Sequence, residues 1–68
     1  MNLFKERIKE LRLEKGLKQS EIESQLNLSC SMYSSWEQGR RQPSIDAIIM
    51  LARFFDVTCG QLLGTEQL

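Results

Sequence analysis

Apolar residues recur at helical spacing along most of this chain, and no segment alternates as a strand would. Phe4, Ile8 and Leu11 mark one face of a first helix over Leu3 to Lys15, with Gly16 placed to end it in a left-handed turn. A second helix is expected from about Gln19 to Leu26. Lys18 stands where a capping Ser, Thr or Asp is usual, and Glu21 lies in the first turn. Asn27 tolerates the positive φ of a tight turn. Ser29 is the expected N-cap of a third helix running to about Gln38, and Gly39 stops it. Pro43-Ser44 announces a fourth helix, Ile45 to Phe55, whose core stripe is expected at Ile45, Ile48, Ile49, Ala52 and Phe55. Thr58 with Gln61 three residues on has capping-box form, so a last short helix covers Cys59 to Leu63, followed by a frayed tail, 64–68. The pattern predicts an all-α fold of five helices.

The most informative stretch is the helix-turn-helix at about 19–38. Ile22, Leu26 and Leu28 are placed to close onto Tyr33 and Trp36, which sets the third helix across the second. Cys30, Ser31, Ser34 and Ser35 are then expected to point outward. Two short helices in this arrangement, with the second presented to solvent, suit a DNA major groove.

Length narrows the alternatives. With 68 residues the chain is one domain, 1–68, with a marginal core and little room for a deep catalytic cleft. It has no histidine, no phosphate-cradling glycine loop and only two cysteines, Cys30 and Cys59, both expected as reduced thiols. No enzyme activity, metal or cofactor is therefore expected. There is neither an apolar run of about 18 residues nor a secretory signal, so the expected compartment is the cytoplasm.

Charge refines the expectation. Nine basic and nine acidic side chains cancel, which argues against strong non-specific nucleic-acid binding. Their placement is uneven, however. Lys18, Arg40 and Arg41 flank the third helix, and no acid occurs from Gln38 to Ile45. Modest affinity backed by dimerisation fits this balance.

The segments FKERIKELRLEKGLKQ, LNLS, WEQGRRQPS and IDAIIMLARFFDVTCGQLL, in this order and spacing, resemble the Cro/C1-type (lambda-repressor-like, XRE) DNA-binding domain family over Leu3 to Leu63. The resemblance implies a compact five-helix domain with the helix-turn-helix in helices 2 and 3. It implies that Gln19 hydrogen-bonds a phosphate and braces the recognition helix. Lys18, Gln38, Arg40 and Arg41 would grip the DNA backbone. Cys30, Ser31 and Ser35, with Ser34 and Met32 on the same helix, would face base edges. Arg12 and Glu37 match a pair that ties the first helix to the end of the third. The chain departs from the family pattern at Glu23, where a small residue is usual, and at Tyr33, where an aliphatic one is. A Glu23 carboxylate accepting from the Tyr33 hydroxyl, or an outward shift of the helix, would reconcile the two.

The expected function is a sequence-specific double-stranded DNA-binding transcriptional regulator, of the repressor or phage and restriction-control type. It would act as a homodimer on a palindromic operator, with the C-terminal residues Phe54, Val57, Leu62, Leu63 and Leu68 as the dimer surface. The alternative is a protein-interaction or antitoxin-like module that keeps the fold with weak DNA binding. At Cys30 a small polar surface role stands beside redox sensing, and Cys59 is expected to be buried. No small-molecule ligand is evident.

Overall fold

A computed structural model describes residues 3–67. Five helices follow one another: α1 (Phe4–Lys15), α2 (Gln19–Gln25), α3 (Met32–Gln38), α4 (Ile45–Phe55) and α5 (Cys59–Leu63). Most boundaries have a local cause. Gly16 at φ 69° ends α1, and Asn27 at φ 56° opens the turn after α2. Lys18 has no acceptor to offer α2, but the Glu21 carboxylate accepts from the Lys18 backbone N–H at 2.7 Å, half of a capping box. Ser44 Oγ accepts from Ala47 N at 3.1 Å and starts α4. Thr58 and Gln61 form both halves of the box that starts α5.

One core joins all five helices. Phe4, Ile8 and Leu11 of α1 meet Ile22, Tyr33, Trp36, Ala47, Leu51, Ala52, Phe55 and Leu62, with Leu17, Leu26 and Leu28 packed at the edge. Tyr33 and Trp36 meet edge to face with ring centroids 6.2 Å apart. Tyr33 is fully buried, and its hydroxyl donates to the Ile8 carbonyl at 3.2 Å, so the polar end is satisfied inside the core.

Four expectations are corrected. The core face of α4 is Ala47, Leu51, Ala52 and Phe55 with Ile48 beside it, whereas Ile45 is 77% and Ile49 40% exposed. Cys59, like Cys30, is exposed. Leu62 is fully buried and cannot serve a dimer surface, while Phe54, Val57 and Leu63 pack partly against the core. Leu68 lies outside the described residues. The tail through Gln67 is docked and not frayed: Arg7 donates to the carbonyls of Gln61 (2.8 Å) and Glu66 (3.1 Å), Thr58 Oγ1 donates to the Glu66 carboxylate (2.6 Å), and Gln61 Nε2 donates to the Gln67 carbonyl. Among the described residues no helix is long and apolar enough to cross a membrane.

Candidate nucleic-acid interface

The third helix is held from both ends by side chains of other helices. At its C-terminal end lies a three-way junction. Glu37 of α3 accepts from Arg12 of α1 through both oxygens, at 2.7 Å to Nε and 3.2 Å to Nη2, and from Gln19 Nε2 of α2 at 3.0 Å. Arg12 Nη1 also donates to the Leu17 carbonyl at 3.0 Å. The pair is largely covered, with Arg12 at 13% and Glu37 at 4% side-chain exposure. A fork-to-fork arginine–carboxylate pair fixes both distance and angle, so this junction sets where α3 sits relative to α1 and α2. Burial pushes the Glu37 carboxyl up. The guanidinium of Arg12, the adjacent Tyr33 hydroxyl and the Gln19 amide outweigh that push and hold it below the ordinary carboxylate range.

The N-terminal end is held differently from what the sequence suggests. Ser29 does not cap α3, which begins at Met32. The capping position is Ser31, whose φ of 68° is left-handed and whose hydroxyl makes no capping bond. A non-glycine residue there costs about 1 kcal/mol or more. The missing cap comes from α2: a Glu23 carboxylate oxygen accepts from Tyr33 N at 3.0 Å and Ser34 N at 3.5 Å. Met32 N bonds the Ser29 carbonyl, and Ser35 N begins the regular ladder on Ser31. Every amide of the first turn is thus accounted for. Glu23 therefore serves the backbone of α3 and not the Tyr33 hydroxyl, and the carboxylate sits where the helix dipole favours negative charge.

That assignment carries a prediction. Glu23→Ala is expected to leave two amides of α3 without a protein partner and to cost about 1–2 kcal/mol. Glu23→Gln, which keeps an acceptor oxygen, is expected to recover part of this. Urea denaturation of the two variants checks the order; equal stability of Glu23→Ala and the parent would remove the capping role.

Between the two anchors the outer surface of α3 forms an open groove of about 290 Å³ lined by Ser29, Cys30, Ser31, Met32, Ser35, Arg40 and Arg41. Gly39 at φ 78° turns the chain back so that the arginines run alongside the start of the helix. Here a side chain is doubly disfavoured, because a Cβ would sit 3.2 Å from the Lys5 stem in a left-handed conformation. Arg41 Nη1 lies 3.9 Å from Met32 Sδ.

The structure thus gathers Cys30, Ser31, Met32, Arg40 and Arg41 at one surface. Ser35 belongs to the floor: it is only 5% exposed, and its Oγ donates to the Met32 carbonyl at 2.7 Å, which corrects the expectation that it points outward. Ser34 is half-buried beside the groove, its Oγ donating to the Ser31 carbonyl. Lys18 and Gln38 are exposed outside the groove, and Gln19 is turned toward Glu37. Sequence reasoning missed Glu23 as the cap and Ser29 as a groove residue. The only hint for Glu23 was a long acidic side chain where a small one is usual.

A family model described as helix-turn-helix matches residues 8–62. The chain is 42% identical over 67 residues to the HTH-type transcriptional regulator AnsR of Bacillus subtilis (strain 168), covering 98% of this chain and 56% of that protein. It is 35% identical over 65 residues to the HTH-type transcriptional activator BcrR of Enterococcus faecalis, covering 96% and 32%. It is 26% identical over 65 residues to the cryptic phage CTXphi transcriptional repressor RstR of Vibrio cholerae, covering 96% and 59%. The chain therefore spans between about a third and three-fifths of the length of these curated relatives. No solved structure matches it. With a match over most of its length and a helix-turn-helix locked to α1 by Arg12, Glu37 and Gln19, the chain belongs to the Cro/C1-type (XRE) helix-turn-helix family.

Proposed function

We propose that this chain is a double-stranded DNA-binding transcription regulator that sets α3 into the major groove and acts as a dimer on a palindromic operator. The observation that carries the reading is the placement on one surface of small polar side chains beside two exposed cations. Cys30, Ser31 and Met32 line the groove, and Arg40 and Arg41 rim it. Both arginines are exposed and suited to phosphates.

The mechanism is occupancy, with no chemistry. Backbone contacts from Arg40 and Arg41, helped by Lys18 and Gln38, set the register of α3. The short side chains then let the helix approach base edges closely. Each hydroxyl or thiol makes one weak contact where an Arg, Asn or Gln makes a bidentate one worth about 1–3 kcal/mol. Discrimination therefore leans on DNA shape and bridging water, with Met32 available to a thymine methyl. The start of α3 is already occupied by the Glu23 carboxylate, so phosphate gripping falls to the arginine rim. Relatives carry both activator and repressor in their names; occupancy serves either, by blocking polymerase or recruiting it.

Selection of bound sequences from a random duplex pool at about 100 mM salt, where non-specific binding is weak, tests the proposal. The expected result is a palindrome with half-site centres about 34 Å apart. Folded protein that enriches no sequence would overturn it.

A further inference from the structure

We propose that the outward face of α4 is a self-association surface, on which a second copy of this chain packs antiparallel about a two-fold axis between residues 49 and 50. This deepens the dimeric reading above by naming its contact. Nine of the eleven residues of α4 are Ala, Ile, Leu, Met or Phe, more than one core-facing stripe requires. Ala47, Leu51, Ala52 and Phe55 take the buried side. At about 100° per residue, Asp46, Ile49, Met50 and Arg53 share an arc on the opposite side, flanked by Ile45 and Phe54. The structure brings Asp46, Ile49, Met50, Arg53 and Phe54 together as the lining of one shallow groove, with Leu26 at its edge. Ile45, at 77% exposed, is the most exposed large apolar residue described.

What covers this face is argued from its own charge pattern. Asp46 and Arg53 are both exposed, sit about 10 Å apart along the helix axis, and make no ion pair among the described residues. They are equidistant from the midpoint between residues 49 and 50. So are Ile49 and Met50, and so are Ile45 and Phe54. A two-fold axis through that midpoint therefore sets Asp46 against Arg53 of the second copy at both ends. It sets Ile49 against Met50 in the centre and Ile45 against Phe54 at the flanks. No position meets its like in charge, and the two helix dipoles run opposed. A parallel pairing would stack Asp46 on Asp46 and Arg53 on Arg53. An 11-residue helix is about 16 Å long, so the contact falls below the roughly 800 Å² per partner of a standard interface. The dimer is accordingly weak and exchanging, and tightens when two half-sites hold both copies.

The test is sedimentation of the full chain without DNA from about 10 to 500 μM, the range a small interface calls for. Parent protein is expected to shift from monomer to dimer across it. Asp46→Arg alone, and Arg53→Asp alone, are each expected to weaken association about tenfold or more, because both end contacts become like-charged. Mixed in equal amounts, the two variants are expected to associate again. In the mixed pair the new arginine faces the new aspartate, and Arg53 of the first variant faces Asp46 of the second. Both positions are exposed, and circular dichroism melts confirm that each variant is folded before it is read. Parent protein that stays monomeric throughout, single variants that associate like the parent, or a mixture that fails to associate would each overturn the assignment. The duplex selection is read separately: an enriched operator with a monomeric parent sinks this interface and leaves DNA recognition standing, and self-association without any enriched DNA does the reverse.

Discussion

Glu37→Ala is expected to destabilise the domain by about 3 kcal/mol, because removing one partner of a covered ion pair leaves the other charge uncompensated. For a chain of 68 residues the whole folding free energy is roughly 3–10 kcal/mol, so this one side chain carries a large share. Three groups lose their acceptor together: Arg12 Nε, Arg12 Nη2 and Gln19 Nε2. They come from two helices other than that of Glu37, Arg12 from α1 and Gln19 from α2, which is why truncation is expected to loosen α3 against both and not only to lower stability. The pH dependence has a definite sign. The Glu37 carboxyl is held below its usual value of 4.5 in the folded state. Its contribution is therefore complete above that value and is lost as pH falls through the lower folded one. Urea denaturation of parent and Glu37→Gln at neutral pH and in acid checks this: the stability difference between them is expected to shrink as pH falls below 4.5 toward the lower folded value, where the unfolded parent takes up the proton first. A difference independent of pH would mean that the charge of Glu37 does not stabilise the fold.

The contrast between this junction and the other end of α3 shows which parts of the molecule are legible from sequence. The stops at Gly16, Asn27 and Gly39 and the starts at Ser44 and Thr58 are local devices, written in one or two residues, and each is found where the pattern places it. The start of α3 is not local. Ser29 has the right chemistry for a cap, yet a turn through Cys30 and Ser31 delays the helix, and the acceptor arrives from Glu23 on another helix. Propensity at Ser29 is outweighed by a tertiary contact that no short window contains. Helix α4 fails for a different reason. With apolar residues nearly all round, two stripes fit a helical period equally well, and only the tertiary packing of α4, with α5 as its main neighbour, decides which one is buried. The stripe through Ile45 and Ile49 faces out. Ser35 and Cys59 reverse expectation in opposite senses because residue type alone does not rank them: a serine hydroxyl is readily buried once it bonds a carbonyl of its own helix, here Met32 at 2.7 Å. Cys59, in the first turn of the short helix α5, is exposed.

Replacing Arg40 and Arg41 together with alanine is expected to weaken binding to every duplex, operator or not, by roughly tenfold or more at about 100 mM salt, and to leave sequence preference unchanged. Each phosphate contact removed lowers the slope of log affinity against log salt by about 0.9. Two contacts per copy thus predict a decrease of about 1.8 for a monomer and twice that for a dimer. The fold should tolerate the change, since both side chains are exposed and their backbone amides, which bond the Ser35 carbonyl, are untouched. The magnitude follows from the chain's neutrality. With nine charges of each sign there is little background attraction to DNA, so the two cations at the rim of α3 supply a larger fraction of the electrostatic affinity than they would in a basic protein. Fluorescence anisotropy on one duplex across about 50 to 200 mM salt reads both quantities. An unchanged slope would remove Arg40 and Arg41 from the DNA backbone. It would move the phosphate contacts to the other cations at the ends of α3, Lys18 and Lys5, whose side chain lies against Gly39.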